Sequence, residues 1–106
     1  VEMHHYEPLF KDMRQDKKLL DLFNDVMTEF DETPRILPDD EADGSTDVGN
    51  VSYEVPTAQP TLQIGLGLEA HTPEFTCAAG SDYGLAQAIK GAKIMAVVAL
   101  RYAMCK

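Results

Sequence analysis

The sequence predicts an α/β chain. Three observations carry that expectation. An amphipathic helical period runs over residues 16–30, an alternation of apolar and small residues runs over 61–68, and an Ala-rich helical pattern runs from 78 to about 104. A chain of 106 residues has the length of one small domain, and its 44% hydrophobic content is enough for a core.

The elements follow in order. Residues 1–10 (VEMHHYEPLF) lack a helical apolar period and are interrupted at Pro8, which predicts an extended segment. Asp16 is a competent N-cap for the helix that follows. In that helix Leu19, Leu22, Phe23, Val26, Met27 and Phe30 recur at steps of mainly three and four and make one apolar face. Residues 33–43 read as a loop, because Pro34 and Pro38 block helix and central strand and Asp39, Asp40, Glu41 and Asp43 form a charge run. Past Gly44, the residues Ser45, Thr46 and Asp47 can each cap a short turn of helix. Pro56 and Pro60 bracket an irregular stretch, and TLQIGLGL (61–68) then reads as a buried strand. In the last helix Leu85, Ile89, Ala92, Met95 or Ala96, Ala99 and Tyr102 mark one face. Its small residues allow close approach to a sheet.

Charge narrows the partners. Eighteen acidic residues against nine basic ones give a net charge of -9, which disfavours nucleic acid and anionic membranes. No apolar run is expected to approach the roughly 20 residues of a membrane span. Neither a signal peptide nor a zinc spacing is visible; Cys77 and Cys105 each stand alone, and reduced thiols in a cytoplasmic protein are the simpler reading.

Several residues invite chemistry. Asp39, Glu41, Asp43 and Gly44 begin like a calcium loop, but the twelfth position, which should bring a bidentate Glu, is Asn50. His71 follows the expected strand in HTPEF and can present an imidazole nitrogen to a metal, or serve as a surface or capping histidine. Glu74 can orient it or cap the next helix. Asp47 can bind at a helix start or cap it. His4 and His5 are adjacent and would face opposite sides of a strand. A triad of Ser45 or Ser52 with His71 and Asp47 lacks a nucleophile elbow.

Taken together, Gly44-Ser45-Thr46-Asp47-Val48-Gly49-Asn50-Val51-Ser52, Val55-Pro56-Thr57, His71-Thr72-Pro73-Glu74-Phe75 and Ala79-Gly80 before an Ala-rich helix resemble the C-terminal end of the aminoacylase and carboxypeptidase-G-like metallopeptidases. The likeness is nearest to the amidohydrolase branch that includes p-aminobenzoyl-glutamate hydrolase and the aminoacylase-like dipeptidases. It implies the C-terminal part of a three-layer α/β/α zinc-exopeptidase-like catalytic domain over 16–106. Residues 1–15 would be the end of an inserted lid and dimerisation domain and bring a leading strand. It also implies hydrolysis of an amide bond in an N-acyl amino acid, aminobenzoyl-glutamate or dipeptide by metal-activated water. Two zinc ions serve each complete site, with manganese or cobalt as alternatives, in a cytoplasmic homodimer. His71 matches the family's last metal ligand. Gly44, Thr46, Asp47, Asn50 and Glu74 would stand on the substrate side or behind the ligands. The remaining ligands and the base are missing from this chain, so the remainder of the catalytic domain is an implied partner and the chain alone is expected to be inactive. The alternative reading is a small acidic interaction domain without catalysis.

Overall fold

The computed structural model describes residues 1–35 and 44–104. Four helices occupy them: α1 Lys17–Glu29, α2 Val48–Val51, α3 Pro73–Ala79 and α4 Asp82–Met104. About half of the chain is helical, and the described residues contain no β-strand. The expected α/β class, with its three layers and leading strand, is therefore corrected to an all-helical arrangement.

The physical reason lies in pairing. A strand exists through hydrogen bonds to a neighbouring strand, and neither 61–68 nor 1–10 has one. The 61–68 run keeps the alternation of a strand, with Leu62 and Ile64 turned inward and Thr61 and Gln63 outward. It is broken at 65–67, where the chain bends and Gly67 takes a positive φ of 63° that suits glycine.

Helix α1 is built as the sequence predicts. Asp16 accepts a hydrogen bond from the Leu19 N–H at 2.8 Å, the N-cap geometry. Its last turn closes as a Schellman motif: the Asp31 N–H reaches the Thr28 carbonyl and the Glu32 N–H reaches the Met27 carbonyl. Asp31 fills the left-handed position, with φ 60°, that glycine usually takes. The apolar face of α1 packs on α4. Val26, Met27, Ile94 and Val98 are the buried core, flanked by Leu19, Leu22, Phe23, Phe30, Leu62 and Val97. Each large side chain removed from water there contributes about 1.5–3 kcal/mol.

Polar links reinforce the α1–α4 contact. Arg101 donates two hydrogen bonds of 2.7 Å to the two carboxylate oxygens of Glu29. Glu32 pairs with Lys90, and the buried Gln87 amide donates to both Glu32 Oε1 and the Gln63 carbonyl.

Helix α4 corrects a second expectation. Its buried stripe is Gly84, Gln87, Ile94 and Val98, while Leu85, Ile89, Ala92, Met95, Ala99 and Tyr102 all face outward. It corrects a third as well, since by length and composition alone α4 is long and apolar enough to cross a membrane. The described chain is open in shape: its radius of gyration is 16.1 Å, against about 13 Å for a compact domain of this length.

Candidate functional site

The predicted site residues fall into two groups on different elements. His71 stands in the turn between the 61–68 segment and α3. Its φ is 64°, a left-handed conformation that His tolerates better than most residues but at some strain. The next residues lock this turn. Thr72 accepts from the Phe75 N–H at 3.2 Å and donates to the Glu69 carbonyl at 2.7 Å, and Pro73 opens the helix. The His71 backbone therefore leads into a hydrogen-bonded cap, and the residue is exposed. Glu74 lies in the first turn of α3, also exposed. The cap of α3 is the Thr72 side chain rather than Glu74.

The second group surrounds α2. Thr46 Oγ1 accepts from the Val48 N–H at 3.3 Å, so Thr46 satisfies the start of this helical turn. The Asp47 side chain makes no capping bond and stays exposed. Gly44 leads into the turn. Asn50 has a different engagement: its Oδ1 accepts from the Lys11 N–H at 2.7 Å and its Nδ2 donates to the Leu9 carbonyl at 3.1 Å. The Asn50 amide thus holds the backbone of residues 9–11 as a neighbouring strand would. Ser52 continues the clasp by accepting from the Arg14 N–H at 3.0 Å. Gly49 makes the approach possible, because a Cβ there would collide with the Lys11 carbonyl oxygen.

Tyr53 completes this clasp and was not singled out by the sequence. Its hydroxyl donates to Asp12 at 2.6 Å, and its ring lies under Lys11 and Arg14, with Arg14 3.8 Å from the centroid. The Tyr53 hydrogen bond holds the Asp12 carboxyl below its ordinary range, and the same bond raises the Tyr53 phenol. A KDMR segment opposite a VSY segment, with bonded pairs 38 and 41 residues apart, carries no local signal of such pairing.

Neither a hydrogen bond nor an ion pair joins His71 to the 44–50 turn among the described residues. No cluster of three or more His, Cys, Asp or Glu able to hold a metal occurs among them either. Asp39, Glu41 and Asp43, the start of the calcium-loop reading, lie outside the described residues, as does Cys105. Cys77 is an exposed free thiol on α3. Neither group of predicted residues lines the apolar cavity of about 490 Å³ that opens between α1, residues 58–64 and α4.

No protein-family model matches the chain, and no solved structure matches it. Over 57 residues it is 44% identical to the Xaa-Arg dipeptidase of Mus musculus and, equally, to that of Homo sapiens. The match takes in 54% of this chain but spans only 13% of the length of each relative. This partial likeness supports a hydrolase of the peptidase or amidohydrolase kind.

Proposed function

We propose that this chain is a segment of a metal-dependent amidohydrolase or dipeptidase, contributing one wall of its active site and one metal ligand, His71. The observation that carries the reading is the 44% identity over 57 residues to enzymes that hydrolyse dipeptides by name. The rigid, solvent-facing His71 turn supports it, since a ligand must offer an open imidazole nitrogen in a fixed place.

The residues present fit one ligand of such a site and no more. Among the described residues the His71 imidazole stands without two further donors beside it. Bound zinc would supply carbonyl polarisation and a water of lowered pKa. The contribution of this chain is to fix the His71 imidazole and to shape the wall around Asp47. The substrate class in this reading is a dipeptide or N-acyl amino acid. Zinc as the metal, and a homodimer in the cytoplasm as the setting, are carried by the family resemblance alone.

In the complete enzyme, His71→Ala is expected to lower metal occupancy by about one ion per site and to reduce kcat by about a hundredfold or more. Metal analysis and steady-state kinetics on one preparation check this. Unchanged metal content and rate would remove His71 from the ligand set. The isolated chain is expected to leave dipeptides and N-acyl amino acids uncleaved with zinc added, and turnover abolished by the same substitution would overturn that expectation.

A further inference from the structure

Helix α2 has four residues, too few for its own hydrogen bonds to hold a helix in water. Among the described residues it packs on none of the other three helices. The hydrogen bonds that tie residues 44–57 to another part of the described chain all end on residues 9–16. They run in parallel register. Leu9 and Lys11 meet Asn50, Arg14 meets Ser52, and the Asp16 N–H donates to the carbonyl of the buried Thr57 at 2.7 Å. The last of these is a backbone pair, and in the others a side chain stands where a strand would offer its backbone. Asn50 suits that place because its amide both accepts and donates. Tyr53 adds a second point of hold through its hydroxyl bond to Asp12. Its ring also carries the Lys11 ammonium at 4.6 Å and the Arg14 guanidinium at 3.8 Å. Residues 9–16 run directly into α1, whose N-cap is Asp16. The clasp is therefore the path by which α1 fixes the turn that bears Thr46 and Asp47.

We propose that Asn50 and Tyr53 are positioning residues, which hold the Thr46–Asp47 turn in one place relative to the start of α1. That this turn is a wall of a substrate site rests on the proposed function; the clasp itself does not. The Asn50 amide is turned to Leu9 and Lys11 at 3.1 and 2.7 Å, and the Tyr53 hydroxyl to Asp12 at 2.6 Å. What the two residues do for a substrate, they do through the turn they hold. The buried core of α1 and α4 contains neither of them. Loosening the clasp should therefore free the turn and leave the helices in place. A merely structural role would instead show as lost stability of the whole chain.

The test begins on the full chain of 106 residues in a C77S/C105S background, with spin labels at D47C and K18C, both exposed positions. Pulsed electron resonance should give a narrow distance distribution. Asn50→Ala with Tyr53→Ala should broaden it about twofold or more while the helical circular dichroism stays unchanged. Tyr53→Phe, which keeps the ring under both cations, should broaden it less than Tyr53→Ala does. A parent distribution as broad as that of the double variant overturns the proposal. So does a double variant without broadening, or one that loses its helices along with the distance. In the complete enzyme, Asn50→Ala should raise KM about tenfold with metal content unchanged. A fall in kcat alone, in step with a smaller folded fraction, overturns the positioning role. The two ideas are separable: spin-label distances that broaden as expected, in a protein whose complete form cleaves neither dipeptides nor N-acyl amino acids, sink the site reading and leave the clasp standing.

Discussion

At Gly49 the absence of one carbon decides how two distant segments meet. The Lys11 carbonyl occupies the space where a Cβ would stand. Gly49→Ala should gain helix propensity in α2 yet lose the clasp, for a net destabilisation of about 1–3 kcal/mol. Chemical denaturation measures the loss, and hydrogen exchange locates it: the Lys11 and Arg14 amides, bonded to Asn50 and Ser52, should lose protection first. An unchanged exchange rate at Lys11 would show that the clasp tolerates the methyl group. At this scale the sequence was legible where bonds are short-range. Asp16 sits three residues from the N–H it caps. Asn50 was singled out for the substrate side, but its amide is spent on Leu9 and Lys11, 41 and 39 residues away, and no local pattern signals that. The left-handed backbone of His71 was equally hidden, because His-Thr-Pro is compatible with several turns.

Between elements, the ion pairs that tie α1 to α4 give a pH dependence with a definite sign. Lys90 holds the Glu32 carboxyl below its ordinary range, and Arg101 does the same for Glu29. A carboxyl depressed in the folded state stabilises above its unfolded pKa, about 4.3, and that contribution is lost as pH falls through the folded value. Urea midpoints should therefore be flat from about pH 5 to 8 and fall below about pH 4. Glu32→Gln should lower the plateau and shrink the acid drop, and a drop of unchanged size in that variant would place the acid sensitivity elsewhere. Helix α1 was legible because its 3.6-residue period and its packing face coincide. Helix α4 was legible in extent but not in orientation. It is apolar around most of its circumference, so periodicity cannot say which stripe meets α1, and Gln87, polar by type, turned out to be buried on that side.

At the scale of the molecule, the α/β class failed for a reason that concerns assembly. Residues 61–68 have the alternation, the glycines and the inward Leu62 and Ile64 of a strand, and lack only a neighbour to bond. The core is small for 106 residues, with Val26, Met27, Ile94 and Val98 as its buried members. The isolated chain should accordingly bind the dye ANS and unfold with a broad transition, whereas sharp melting without dye binding would mark it as self-sufficient. The His71 motif was legible as a motif, and the likeness to dipeptidases agrees with the kind of enzyme it implied.

The pair of hydroxyl caps around α3 has a mechanical consequence. Thr72 ties the His71 turn to the start of α3. Ser81 closes the elbow at its end by donating to the Ala78 carbonyl at 2.7 Å and accepting from the Gly84 N–H at 3.0 Å. The backbone of residues 69–84 is thus a hydrogen-bonded bracket leading into α4. Wherever α4 goes, the backbone of the His71 turn goes with it. The place of the His71 turn is therefore set by the position of α4, and a displaced α4 would move it without altering a single residue of the turn.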